Sequence, residues 1–411
     1  MPAPRTPYEA VLHAARDVIK LDSAFDAELL GSTLLGSVYA VAEDDRAAGV
    51  RHFVGDFLVA TAEDRTPAAA TIRAVFAALV PDAAGAGEVP APGPAWAAEL
   101  GQARLTGTHS YGDVYGDQTS YVATFAYDDE RSGGPEHAVV ALIDRNIGIV
   151  KDIFVGPAEG VLSQIRQMSA DDDMIWFRDT APEQLRADVD RYMEITDSLE
   201  SLPEGDSLAT DRALVGARIA LLPASAAVNG RRNGAAPGGP VAQPEPLDEA
   251  GRAALLADFR GSPEAAEDGL DKLDGADKQS LDFAVRLVLD HAETFPDADP
   301  LRWSPVMAQL FLLDWVHRRA VLDEADARML PRALRAWVAF AAGRHSVPSA
   351  AAGLTVDEVD KLTPEFHRLY ASGERRSPAT KAMAQLIADG VDPADQEAVT
   401  AWLRTDNDRP A

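Results

Sequence analysis

The side chains best suited to chemistry gather between residues 109 and 152: His109, Asp113, Asp117, His137, Asp144, Asn146, Lys151 and Asp152. Carboxylates beside a lysine can serve as an acid/base set, and Asp with His can ligate a hard divalent ion. Asp144, Lys151 and Asp152 are the candidate catalytic residues. If Ile147 to Val155 is a strand, strict alternation puts Asp152 between Val150 and Phe154 on one face and Lys151 between Ile149 and Ile153 on the other. At least one charge then faces apolar neighbours. A buried charge must be paired, neutralised or used, which makes this segment a functional candidate. A cross-strand Asp-Lys pair, with Asp144 and Asn146 serving a hairpin turn, accounts for the same residues structurally.

A second candidate is the run from Tyr111 to Asp117, with Tyr121 and Tyr127 nearby. Two Gly-Asp units between strands can present carboxylates and rings to a cation or a sugar-like ligand. Tyr111, Asp113, Tyr115, Asp117, His137 and Asn146 are therefore the candidate ligand-binding residues. The structural alternative is a hairpin loop, with Gly at positive φ and Asp accepting backbone hydrogen bonds.

Missing residues narrow the chemistry. With no cysteine there is no disulfide, thiolate metal site or thiol nucleophile. No H-E-x-x-H, G-x-S-x-G, G-x-G-x-x-G or G-x-x-x-x-G-K-[ST] pattern occurs. The acidic run Asp171 to Asp173 lacks the alternation and bidentate Glu of a calcium loop. His13, His52, His291, His317, His345 and His367 sit singly on predicted helices or their ends, where a surface or satisfied core role is expected. No metal and no cofactor is expected.

The elements that must position these residues follow from periodicity. Apolar residues at three- and four-residue spacing predict helices at Tyr8 to Lys20, Asp26 to Ala42, Ala47 to Ala62 and Pro67 to Val80. A Gly, Ala and Pro break from Ala83 to Pro94 and a short helical piece at Trp96 to Leu100 come next. The period then changes to two, predicting a four-stranded antiparallel meander with strands at roughly 104–111, 119–127, 137–144 and 147–155. Ala138 to Ile143 is apolar without interruption, as in a strand covered on both faces. Helices at about 158–169, 182–198 and 207–222 complete an α+β domain over residues 1–222.

Residues 223–246, rich in Pro, Gly and Ala, cannot bury enough surface to offset their ordering entropy and are expected to be a flexible linker. Residues 247–411 carry no strand signal and read as an all-helical domain. Its helices are predicted at Asp248 to Phe259, Lys278 to Thr294, Pro305 to Arg319, Pro331 to Gly343, Val356 to Ala371, Pro378 to Ala388 and Pro393 to Arg404. Cap-Pro pairs at Ser304, Ser377 and Asp392 and a capping box from Thr355 to Glu358 mark the starts. Phe283, Leu287, Leu310, Phe311, Trp315, Leu334, Trp337, Val338, Phe366, Leu369, Leu386 and Trp402 form the predicted core.

The chain has 66 acidic and 38 basic residues, a net charge of -28. Residues 1–222 hold 36 acidic and 17 basic groups, which is -19. Such a surface repels polyanions, so nucleic acid and membrane partners are not expected. Neither a signal peptide nor an apolar run of membrane-spanning length is visible, and a soluble, cytoplasmic protein is expected.

The motifs Asp113-Val-Tyr-Gly-Asp-Gln118, Glu136-His-Ala-Val-Val140, Ser207-Leu-Ala-Thr-Asp-Arg-Ala-Leu-Val-Gly-Ala217 and Leu330-Pro-Arg-Ala-Leu-Arg-Ala-Trp337 resemble those of an uncharacterised actinobacterial two-domain family. The resemblance spans both parts. It implies a bacterial, cytoplasmic setting and transfers no activity and no catalytic residue.

Two functions fit these residues. One is a non-enzymatic regulatory or protein-interaction protein with two tethered modules and a protein partner, its oligomeric state left open. The alternative is a small-molecule or hydrolytic enzyme using carboxylates and a lysine at the sheet ends, with or without a divalent metal.

Overall fold

A computed structural model describes residues 6–83, 93–203, 205, 207–224, 247–295, 298–392 and 395–407. The expected linker lies outside them from residue 225 onward, as do residues 84–92 of the Gly- and Ala-rich break. Contacts divide the chain into two compact units, Met1–Ala242 and Gln243–Ala411.

The first unit opens with α1 (Pro7–Ala14), a 3-10 turn (Ala15–Lys20), α2 (Ala24–Val41), α3 (Arg46–Ala60) and α4 (Pro67–Leu79). Side chains of Thr6, Ser23, Asp45 and Thr66 each accept a backbone N–H at these helix starts, satisfying donors the first turn leaves open. The single helix expected at Tyr8 to Lys20 is split. Ala15 and Val18, its buried residues, lie three apart, the spacing that a 3-10 turn brings to one side.

The sheet comprises β1 (Arg104–Asp113), β2 (Gln118–Ala126), β3 (His137–Asp144), β4 (Ile149–Pro157) and β5 (Ile175–Asp179), in the order β4-β3-β2-β1-β5. The α+β class and the antiparallel meander stand, with a fifth strand that the periodicity did not predict. β5 pairs antiparallel with β1, from His109 opposite Asp179 to Asp113 opposite Ile175. The Trp176 indole seats it by donating to the Asp113 carbonyl at 2.8 Å.

A short helix α5 (Glu130–Gly133) precedes β3, and α6 (Ala158–Asp171), α7 (Pro182–Asp197) and α8 (Ser207–Ala220) complete the unit. One sheet face, including Ala123, Phe125, Val139, Ala141, Val150 and Ile153, joins the main core with the helices. The other, through Val122, Ala138 and Val140, packs with Ile165 of α6. β3 is therefore covered on both sides, as its uninterrupted apolar run predicted.

Strict alternation fails in β4, because a bulge intervenes. Leu142 pairs with Asp152 while the next residue, Ile143, pairs with Val150, leaving Lys151 as the extra residue. Val150 and Ile153 can then both enter the same core although they are three apart, and Lys151 is exposed. The bulge thus removes the conflict that alternation created. β4 is also an edge strand, and its unpaired N–H groups are met by helices: Val150 N donates to Thr196 Oγ1 at 2.8 Å and Val155 N to Asp211 Oδ2 at 3.2 Å.

The second unit is helical throughout its described residues: α9 (Glu249–Arg260), α10 (Pro263–Glu267), α11 (Gly275–Ala292), α12 (Pro305–Leu310), a π-helical turn (Phe311–Trp315), α13 (Val316–Arg319), α14 (Glu324–His345), α15 (Ser349–Ser372), α16 (Pro378–Ala388) and α17 (Gln396–Asn407). Its core centres on Trp337, Phe259, Phe311, Phe340 and Phe366.

Three predicted starts are corrected. Pro331 lies inside α14, which the Asp323 side chain caps by accepting from Asp326 N at 2.8 Å. Burial of Leu330, Leu334 and Trp337 offsets the hydrogen bond that the proline removes. Thr355 forms no capping box, because α15 already runs from Ser349 and the Thr355 hydroxyl donates back to the Ala351 carbonyl. At α17 the cap is Asp395, accepting from Glu397 N and Ala398 N, while Pro393 lies outside the described residues.

Most of the predicted core is buried, but Phe283 and Trp315 are only partly so and Leu310 is 37% exposed. The inward stripe of α12 is Met307 and Ala308, continued by Phe311 and Leu312, which leaves Leu310 outside.

Candidate functional site

Around the β3-β4 hairpin, three of the sequence candidates meet. The buried carboxylate of Asp144 accepts from Gln118 Nε2 at 3.1 Å and from the backbone of Asn146 at 3.1 Å. The exposed Lys151 reaches its Oδ2 at 3.5 Å. Asp152 turns away toward α8, where the Ser207 hydroxyl donates to it. The β1-β2 loop is organised by Asp113, whose carboxylate accepts from the backbones of Tyr115, Asp117 and Gln118 at 2.9, 3.1 and 2.7 Å. Gly116 takes φ +77° in the same turn. Tyr111 packs against the α6 side of the sheet, and Tyr115 and Asp117 stay half-buried in the loop. His109 leaves the group to pair with Asp179, its Nδ1 2.8 Å from Oδ1. Among the described residues, no three His, Asp or Glu side chains are placed to hold a metal ion.

His137 belongs to a different constellation, buried where α2, the sheet and α8 meet. Arg218 Nη2 donates to Glu28 Oε2, and both side chains are 1% exposed. The same guanidinium donates through Nε to His137 Nε2 at 3.0 Å and through Nη2 to the Tyr127 hydroxyl at 2.6 Å. Tyr127 in turn donates to Glu28 at 2.7 Å, and Gly101 N donates to the other carboxylate oxygen at 2.7 Å. Because a guanidinium only donates, His137 accepts at Nε2 and is neutral, with its Nδ1 hydrogen facing the Pro135 carbonyl at 3.2 Å. Burial, reinforced by the Arg218 charge, pushes this imidazole down to about 4. Tyr121, the other ring near the loop, likewise spends its hydroxyl inside the fold, donating to Asp188. Burial and then that carboxylate push its phenol up.

An open concavity lies elsewhere in the first unit. Two adjoining hollows of about 230 and 430 Å³ share Ala47, Arg51, Asp190, Arg212 and Gly216, forming one groove bounded by α2, α3, α7 and α8. Leu35, Val50 and Leu79 supply apolar lining. Its α8 wall is a stripe of small residues, Ala209, Ala213, Ala217 and Ala220, whose short side chains leave the space open. The close approach of α2 to α8 beside it depends on Gly36, where a Cβ would stand 2.6 Å from the Ala209 carbonyl oxygen.

Inside the groove the polar groups are matched. Arg212 grips Asp197 with two hydrogen bonds, 3.0 Å from Nε and 2.5 Å from Nη2, and the Tyr39 hydroxyl adds a third at 2.7 Å. Burial, followed by the Asp197 charge, pushes the Tyr39 phenol up. At the rim the balance is acidic, with Asp82, Asp190 and Glu194 against Arg51, which lies 3.7 Å from Asp45. The surrounding helices push the Asp190 carboxyl above the usual carboxylate range despite the nearby Arg186, and its side chain remains 58% exposed.

No protein-family model matches the chain, nor does any curated protein or solved structure. None of the groove residues was among the sequence candidates. The alanine stripe of α8 was visible at helical spacing, but its partners come from four other segments of the chain, and no local motif joins them. No helix among the described residues is long and apolar enough to cross a membrane.

Proposed function

We propose that the protein is a non-enzymatic interaction protein of two modules, and that the groove of the first unit is its recognition site for a protein partner. One observation carries this. Asp113, Asp144 and Asp152 near the sheet are spent on turns and strand edges, whereas Asp82, Asp190 and Glu194 border an open hollow lined by the α8 alanines. Concave apolar space with a few placed polar groups is the general form of a binding site. We further propose a cytoplasmic setting without nucleic acid, in keeping with the net charge of -28.

The test is affinity capture from native lysate with the full chain, compared with Ala213→Trp, which fills the groove, and with Lys151→Met and Asp152→Asn. The proposal requires loss of the captured partner in the first variant and retention in the other two, with melting curves unchanged. The opposite pattern, or loss of a measurable turnover on changing Lys151, would transfer the function to the sheet ends and support acid/base chemistry there.

A further inference from the structure

Resting on the groove as recognition site, we infer that its occupant is a basic, amphipathic segment of the partner, laying aliphatic side chains on the floor and Lys or Arg groups against the rim. Half-buried Val80, Ala213 and Ala217 line the groove and their side chains offer no hydrogen bonds, so only apolar groups gain from covering them. Arg212 does not repel a cation, because Asp197 neutralises it through two hydrogen bonds. Asp190 and Glu194 stand four apart on α7, hence on one side of that helix, and both line the second hollow. Together with Asp82 they outnumber the nearby cations Arg51 and Arg186, which pair with Asp45 and Asp190. The volumes admit several side chains and not a folded domain, which is how an amphipathic helix enters a groove. The net charge of -19 over residues 1–222 adds long-range attraction for a basic segment.

The experiment titrates the full chain into a fluorescein-labelled peptide of Lys and Leu at helical spacing, with a Glu-for-Lys peptide alongside, and reads anisotropy at about 0.05 and 0.2 M salt. The Lys peptide should bind, more weakly at higher salt, and the Glu peptide should not. Asp190→Asn with Glu194→Gln should weaken binding about tenfold. Ala213→Trp should abolish it, and Ala220→Trp, at an exposed groove position, does the same without touching the core. Asp171→Asn, Asp172→Asn and Asp173→Asn together remove more charge from the far end of α6 and should leave affinity within about twofold. Equal loss in this distal variant would show mere polyelectrolyte attraction and overturn the inference. Binding of the Glu peptide, or undiminished binding by both groove-filled variants, overturns it equally. If Ala213→Trp loses its lysate partner while the Lys peptide never binds, the groove stands as the site and the basic occupant is refuted.

Discussion

Arg218 of α8 bonds to Glu28 of α2 from Nη2 while its Nε reaches His137 of β3, so one guanidinium ties two helices and the sheet together inside the core. Removing one partner of a buried ion pair leaves the other charge uncompensated, at a cost of about 3 to 5 kcal/mol. Arg218→Met should therefore destabilise the first unit by that amount in urea unfolding. Adding Glu28→Met should recover part of the loss, since the stranded carboxylate is then gone. A single-variant cost below about 1 kcal/mol would mean that solvent reaches this network.

The same network makes the first unit sensitive to acid. His137 is held neutral, with its folded value pushed down to about 4 from the ordinary 6.5. Its contribution is fully present above about pH 6.5 and is lost as the pH falls toward 4, because the unfolded chain takes up the proton first. Between pH 7.5 and pH 4 this single group accounts for about 3 kcal/mol. His137→Gln keeps an acceptor for Arg218 Nε but cannot titrate, so its stability should fall less steeply over that range. Parallel pH curves for the two proteins would refute this assignment.

His291 departs from the expectation for a lone helical histidine. It is 2% exposed, and neither ring nitrogen has a hydrogen-bond partner among the described residues. The rings of Phe295, Phe311 and Trp315 surround it at 5.0, 5.1 and 5.2 Å. Burial, then the Arg302 charge, pushes the imidazole down to about 3. An unsatisfied buried polar group costs about 1 to 3 kcal/mol, and an apolar side chain of similar volume carries no such cost. His291→Leu should thus raise the stability of the second unit at pH 7 by about 1 to 2 kcal/mol and lessen its acid sensitivity. A loss of stability at pH 7 would instead assign a satisfied role to those nitrogens.

What was legible in the sequence was whatever a local pattern decides. Capped starts such as Ser304 and Ser377, the uninterrupted run in β3 and the turn residues Asp113 and Gly116 each carry their reason within a few neighbours. Three features escaped because they depend on distant segments. β5 is five residues long, too short for a period, and exists because β1 offers it a free edge. The bulge at Lys151 is set by where Val150 and Ile153 must pack, and alternation read along β4 alone cannot show it. Pro331 reads as a helix start until the Asp323 cap and the buried stripe through Trp337 carry the helix past it. The candidate site was less legible than the fold for the same reason. Conspicuous charges such as Asp113 and Asp152 are conspicuous because turns and strand edges need them, whereas the groove is assembled from plain residues on helices far apart in the chain.

The bulge and its helical cover lead to a last prediction. By displacing Lys151, the bulge points the Val150 N–H away from β3, and the Thr196 hydroxyl of α7 receives it at 2.8 Å while donating to the Tyr192 carbonyl at 2.9 Å. Both Val150 and Thr196 are wholly buried. Thr196→Val keeps the volume but removes the acceptor, stranding a backbone donor where no water reaches, which costs about 1 to 3 kcal/mol. Lys151→Met at the neighbouring position breaks only a half-exposed pair at 3.5 Å and should cost less than about 0.5 kcal/mol. Hydrogen exchange adds a local readout, since the Val150 amide should lose protection in Thr196→Val and keep it in Lys151→Met. If Lys151→Met proves the costlier change, the charge, and not the hydroxyl, holds this edge of the sheet.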